Sequence, residues 1–217
     1  MIKRIIDILL SLLILLLVSP LFIAVALILR LTGEGEVIYK QGRIGYRNND
    51  FKMWKFATMV KNSPNMLTGD VTLKDDPRVL PFGKWLRKTK INELPQLINV
   101  LKGDMSFVGA RPIMKPSFDH YSDEAKQIIY NTRPGVTGIA SLIFRDEESM
   151  IANSGEDPIS FYQNKIIPYK NMLDIWYQNN RSLWVDFKIL FLTGWAVLFP
   201  EHMQVDKYFN QLPKRNF

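Results

Sequence analysis

Residues 8–29, "ILLSLLILLLVSPLFIAVALIL", form a run of 22 residues without a formal charge, and no other feature limits the fold as much. As an α-helix rising ~1.5 Å per residue the run is roughly 33 Å long, enough to cover the hydrocarbon core of a bilayer. A cleaved secretory signal is one rival, since Lys3 and Arg4 precede the run and residues 24–26 read "AVA". Apolar residues continue past that point and no polar mature start follows, which argues against cleavage. Basic residues flank both ends: Lys3 and Arg4 before, then Arg30, Lys40, Arg43 and Arg47 after. Positive charge marks the cytoplasmic side, so a crossing helix leaves one basic flank on the opposite side. Ser19 and Pro20 lie near the middle of the run. Proline removes a backbone donor and crowds the preceding turn, and a serine hydroxyl can bond the carbonyl so released. A helix that kinks there and returns keeps both flanks on one face. On the residues alone, a single crossing and a re-entrant hairpin are both open.

The rest of the 217-residue chain fits one compact mixed α/β unit, with no internal repeat and no domain-scale linker. The absence of cysteine excludes disulfides and thiolate chemistry, and two histidines make a histidine-rich metal site a poor fit. A formal net charge of +7 and a pI near 9.5 favour anionic partners. No nucleic-acid module, P-loop, GxGxxG or GxSxG pattern occurs, so charge is the sole argument for nucleic acid and none is expected.

Residues 37–41 and 51–59 read as strands joined by the basic turn "GRIGYRNND", and polar residues 60–77 as an ordered loop or flap. Residues 82–89 suggest a short helix. Asn92 suits the N-cap of the next, with Leu94, Leu97, Ile98 and Leu101 on one face and Pro95 in the first turn. Gly103 ends that helix, "FVG" reads as a strand, residues 122–130 as a helix, "RPGVTG" as a tight loop and "ASLIF" as a strand. Residues 158–179 are mostly helical with a break near Pro168, and residues 182–199 form a last helix. There Trp184, Phe187, Phe191, Trp195 and Phe199 recur at spacings of three and four. The first expectation for this stripe is a face packed into the core; the second is a helix lying at headgroup level.

Cations gather around few acids. Arg87, Lys88 and Lys90 precede Glu93; Lys102, Arg111 and Lys115 follow it; Arg133 opens "RPG". Arginine forks bind phosphate oxygens bidentately, and a helix start adds N–H groups, so a diphosphate suits such a place. Glu93 could hold Mg²⁺, act as a base, or attack phosphorus. The competing reading is a solvated surface with ordinary ion pairs. That reading is weakest for Arg111 and Arg133, each in a stiff turn beside proline and close to glycine.

The stretch "NELPQLINVLKGDMSFVGARP" resembles the signature of the bacterial sugar transferases, the small monotopic phosphoglycosyl transferases. The similarity extends over nearly the whole chain, through Ser19-Pro20, "QGRIG", "FKMWKFATM", "FGKWLRKT", "RPGVTGIAS" and "DFKI". It implies a helix-rich mixed α/β fold with a kinked, re-entrant membrane helix at residues 1–32. A compact catalytic domain at residues 33–217, with interfacial amphipathic helices, would lie on the cytoplasmic face of the bacterial inner membrane. The implied reaction is magnesium-dependent: a sugar phosphate passes from a UDP-sugar to undecaprenyl phosphate, leaving UMP, as a first membrane step of polysaccharide assembly. Lys55, Arg87, Arg111 and Arg133 would bind phosphates, Glu93 would serve catalysis or the metal, and Asp186 would support the site. A homo-oligomer stays open, and the transferred sugar is not legible.

Three departures from the family pattern stand out. Ala110 replaces the proline of "GPRP", and Ala57 stands where a lysine is common. The third is Asn92, at the place where the family carries the aspartate held to attack phosphorus. An amide is a poor nucleophile. Either Glu93 takes over, or the lipid phosphate attacks directly, or the chain is a weak or inactive membrane-surface relative that binds anionic lipids or a partner.

Overall fold

The computed structural model describes residues 2–66, 75–199 and 205–217. Its first element, α1 (Ile2–Leu31), runs as one helix through Pro20, and Ser19 Oγ donates to the Leu16 carbonyl at 2.8 Å. Both of its ends are fastened to the rest of the protein. Near the start, Lys3 Nζ meets Asp186 Oδ2 at 2.5 Å and the Val108 carbonyl at 2.9 Å, and buried Asp7 accepts from Phe107 N at 3.1 Å. Near the end, Val25 and Leu29 are buried with Phe56 and Leu86. Between them Leu12, Leu13, Leu16 and Leu17 stand exposed, the last two at 73% and 69%.

Strands β1 (Ile38–Ile44) and β2 (Asp50–Phe56) form an antiparallel hairpin in which Ile38 faces Phe56 and Ile44 faces Asp50. Strand β1 therefore absorbs "GRI" from the expected turn, and β2 stops short of residue 59. Of the expected loop at residues 60–77, positions 67–74 lie outside the described residues. Buried Arg78 ties the described part together: it forks onto Asp76 at 2.6–3.1 Å and donates to the Ser63 and Met66 carbonyls at 3.0 Å.

Helix α2 (Pro81–Lys88) ends at Thr89, and Lys90 takes a left-handed φ of 60°. A single 3-10 turn over Ile91–Glu93 follows, then α3 (Gln96–Lys102), which Gly103 closes at φ 92°. Strand β3 (Ser106–Val108) pairs in parallel with β4 (Gly135–Thr137), so "RPGVTG" supplies a strand as well as a turn. Glycine permits this pairing: a Cβ on Gly135 would fall 2.2 Å from Gly109 N, and one on Gly138 would fall 2.2 Å from Gly109 O.

Helices α4 (Lys115–Asp119) and α5 (Asp123–Ile128) come next, α5 capped by Ser122 Oγ at 3.1 Å. The expected strand "ASLIF" is instead helix α6 (Ile139–Ile143), with Ile139, Ala140 and Leu142 buried. A short apolar run carries no period that separates strand from helix. Helix α7 (Glu147–Asn153) leads to α8 (Pro158–Phe161), a π turn over Tyr162–Ile166, and α9 (Ile167–Asn180); in place of the expected break the chain stays helical through the π turn, and Pro168 falls in the first turn of α9, where no intrahelical donor is needed.

Helix α10 (Leu183–Leu198) is capped by Ser182 and buries Ile189, Leu192 and Ala196. Its aromatic stripe turns outward, from 43% exposure at Trp195 to 62% at Trp184, with neighbouring rings 4.6–6.4 Å apart. The core-packing expectation is thus corrected. A helix apolar all round does not reveal which face the core takes. The main core gathers Met53 of β2, Val100 of α3, Val108 of β3, Leu173 of α9 and Ile189 of α10.

Candidate active site

Three elements distant in sequence bring Lys55, Glu93 and Arg111 together. Lys55 projects from β2, Glu93 from the 3-10 turn before α3, and Arg111 from the segment after β3. Glu93 Oε1 accepts a hydrogen bond from Arg111 Nη2, and Lys55 Nζ lies 3.8 Å from the same oxygen. Arg111 is itself held in place: Nη1 donates to the Val136 carbonyl at 3.0 Å, and its own carbonyl accepts from Tyr130 Oη at 2.9 Å. The lysine and glutamate side chains keep 18% exposure each and Arg111 keeps 34%, so the cluster opens to one side.

Burial alone would raise the Glu93 carboxyl; Arg111 and Lys55 outweigh it and bring the group down to about 2. Glu93 is therefore ionised at every physiological pH. Burial pushes the Lys55 ammonium well below the ordinary lysine value, with Arg111, Arg43 and Arg87 acting the same way against Glu93.

Around this centre lies a second ring of charge. Arg87 Nη2 donates to Glu148 Oε1 at 3.1 Å, and Lys170 Nζ bonds Glu147 Oε2 beneath the rings of Phe144 and Tyr162. Glu147 also acts on Arg111, helping to raise it against the effect of burial. Sequence reasoning missed Glu147, Glu148 and Lys170 because no local pattern announces a pairing across 23 or 61 positions. Arg43, in the sequence a charge flanking the apolar run, donates to Gln41 Oε1 at 2.7 Å and to the Pro112 carbonyl at 3.2 Å.

Other expected positions fall elsewhere. Asn92 does not cap α3: it sits inside the 3-10 turn, 5% exposed, and its Oδ1 has no hydrogen-bond partner among the described residues. The left-handed Lys90 starts that turn early and leaves Pro95 at the cap position. Both side-chain polar atoms of buried Gln96, one helical turn on, are likewise without a partner there. Arg133 stands at the opposite end of α3, where its Nε donates to the Gly103 carbonyl at 2.6 Å. Asp186 bonds Tyr177 Oη at 2.6 Å and Lys3, joining α10 and α9 to the start of α1. Ala110 is buried and its carbonyl accepts from Gly135 N at 2.9 Å; Ala57 is buried with its N–H on the Val37 carbonyl at 3.0 Å.

Among the described residues no group of three or more His, Asp or Glu side chains forms a metal cage. A divalent ion here would rest on Glu93 and on oxygens that a ligand brings. Magnesium fits that donor set, since it takes one or two carboxylates together with substrate phosphates and retains waters.

Fold and site together define a class: among the described residues one helix is long and apolar enough to cross a membrane, and beside it lies a cationic cluster organised on an ionised glutamate. The profile of the bacterial sugar transferases matches residues 1–200, and the chain belongs to that family. The chain is 36% identical to the undecaprenyl-phosphate galactose phosphotransferase of Salmonella typhimurium, over 90% of this chain and 40% of that protein. It is 36% identical to the UDP-glucose:undecaprenyl-phosphate glucose-1-phosphate transferase of Escherichia coli, over 89% and 39%. It is 34% identical to the exopolysaccharide production protein ExoY of Sinorhizobium fredii, over 90% of this chain and 84% of that one. The chain thus spans about two fifths of the length of the first two relatives.

Proposed function

We propose that the chain is a sugar-phosphate transferase acting on a UDP-sugar and undecaprenyl phosphate, yielding undecaprenyl diphosphate sugar and UMP. The observation that carries this reading is the joining of Lys55, Glu93 and Arg111 in one open cluster, within a family whose similar members bear such names.

The chemistry is phosphoryl transfer. An oxygen of the lipid phosphate attacks the phosphorus bonded to the sugar, the bond from that phosphorus to the bridging oxygen breaks, and UMP leaves with the electron pair. Arg111 and Lys55 hold the diphosphate oxygens on which negative charge grows, and Arg87 joins them from the rim. Magnesium on Glu93 would supply further neutralisation of that charge. Glu93 is ion-paired and held near 2, which makes it a weak nucleophile, and Asn92 is a buried amide. Direct attack by the lipid phosphate is the better-supported route. Positioning and electrostatics suffice for it.

For the membrane, the reading is a re-entrant α1 that keeps residues 1–32 in one leaflet and residues 33–217 on the cytoplasmic face of the inner membrane. Attachment of both ends of α1 to the same body supports it, with Leu12, Leu13, Leu16 and Leu17 exposed between them. The outward rings of α10 support a helix at headgroup level.

The test is UMP release from a panel of UDP-sugars with undecaprenyl phosphate and magnesium. Release that requires the acceptor is expected, with no sugar-phosphate mass added to the protein by donor alone. No release from folded protein with any donor contradicts the assignment, and an adduct contradicts the direct route. Accessibility tags at Met1 and Phe217 should both report from the cytoplasm; one found outside excludes the hairpin.

A further inference from the structure

Apart from the Glu93 cluster, the structure gathers three arginines at the far end of α3. Arg4 comes from the first turn of α1, Arg47 from the β1–β2 turn, and Arg133 from the segment before β4. Arg4 donates to the Val100 and Leu101 carbonyls, the latter at 2.8 Å, and Arg133 Nε donates to Gly103 at 2.6 Å. Both guanidiniums flank Gly103: a Cβ placed there would be 3.3 Å from Arg4 Nη2 and 3.8 Å from Arg133 Nε. Arg47 and Arg133 share a second support, the ring of Tyr46, with guanidinium carbons 5.1 Å and 5.8 Å from its centre.

None of the three forms an ion pair with a described residue. The neighbouring acid, Asp104, is engaged by Lys102 at 3.2 Å and by Asn99 Nδ2 at 3.0 Å. Carbonyls at the end of a helix offer roughly half a negative charge, well short of three guanidiniums. The terminal amino groups of Arg133 have no hydrogen-bond partner among the described residues, and both Arg133 and Arg47 are exposed. Such an arrangement calls for an anion from outside the protein.

Position identifies the anion. Arg4 lies in the first turn of α1, four residues ahead of the uncharged run that starts at Ile8; on the membrane reading of α1 proposed above, that is where the helix leaves the hydrocarbon for the headgroups. Arg133 lies beside it and Arg47 beside Arg133. We propose that Arg4, Arg47 and Arg133 form a binding site for the phosphate of an anionic glycerophospholipid, separate from the Glu93 cluster and independent of what that cluster does. Arg4 and Tyr46 fix the site, and the free fork of Arg133 meets the phosphate oxygens bidentately. The site would bias the protein towards anionic patches of the membrane and set its rotation on the surface.

The experiment is native mass spectrometry of the full chain released from micelles containing phosphatidylglycerol or phosphatidylcholine. The unaltered protein should retain phosphatidylglycerol in preference to phosphatidylcholine. The double variant Arg47→Gln/Arg133→Gln should lose that retention about tenfold or more, and the exposed control Lys84→Gln should keep it. Equal retention of both lipids, or full retention by the double variant, overturns the proposal. So does displacement of the lipid by millimolar inorganic phosphate, which would mark a free-phosphate site. Loss of undecaprenyl phosphate but not phosphatidylglycerol from the double variant would instead assign these arginines to the acceptor and overturn it too. If the double variant does not fold, Arg133→Lys decides: it keeps the charge and loses the fork, so retention should fall about threefold, and unchanged retention refutes the site.

Discussion

The two ends of α3 collect the same kind of side chain and treat it in opposite ways. At the start of the helix, Lys55 and Arg111 face Glu93, and Arg87 faces Glu148. At its end Arg4 and Arg133 rest on carbonyls, with no acid paired to either among the described residues. Paired cations are held in fixed places, ready for one ligand of defined shape. Unpaired ones wait for charge from the surroundings, which suits a lipid surface. The same contrast separates two carboxyls. Glu93, between Arg111 and Lys55, is brought down to about 2; Asp174, buried with Lys170 as its one opposing cation, is pushed up to about 7.

The strongest attack on this comparison is Arg111→Gln. It strips the paired end of its best-fixed cation, and UMP release should fall on the order of 10²–10³-fold, measured at saturating donor. A loss below about threefold would mean that pairing at this end serves stability alone.

Next comes Asp186→Ala, which cuts the link from α1 to α9 and α10 without touching the Glu93 cluster. The expected cost is roughly 2–3 kcal/mol, below that of a fully buried pair because the Lys3 side chain is 38% exposed. Thermal melting should fall on the order of 5–10 °C, and Lys3→Gln should reproduce part of the shift. Unchanged melting would show that α1 is held by its apolar contacts alone.

The smallest effect expected is that of Asp174→Asn. A carboxyl raised from 3.8 to about 7 by burial binds its proton more tightly in the folded state than in the unfolded one. Stability is therefore complete below about pH 4 and falls as pH rises towards 7. The variant should remove that slope and gain on the order of 1–2 kcal/mol at pH 8, read from denaturant unfolding at several pH values. The acid side behaves inversely: the contribution of Glu93 is full above about 4.5 and is lost as pH falls towards 2.

Much of this was legible in the sequence. The apolar run, the hairpin, the Gly103 stop and the last helix all follow from local pattern, and the cations around Glu93 were visible as a cluster. What escaped depended on contacts between distant segments. "ASLIF" became α6 because five apolar residues fit either element, and packing on α9 and α10 chose the helix. The sequence makes Asn92 a cap, but a left-handed Lys90 moves the start of α3 and turns the amide inward. The rings of α10 looked like core because spacing marks a face and not what covers it. Arg133 is expected beside Arg111 among the phosphate binders, yet its Nε rests on the Gly103 carbonyl at the end of α3 while Arg111 bonds the Val136 carbonyl.

The most direct measurement is UMP release by Glu93→Gln beside the unaltered protein, with undecaprenyl phosphate, magnesium and the best UDP-sugar of the panel. Glutamine keeps the size of the side chain and removes the charge on which Arg111, Lys55 and the metal converge. A fall of roughly 10³-fold or more at unchanged fold is the predicted result, and turnover within about tenfold of the unaltered protein would contradict the account.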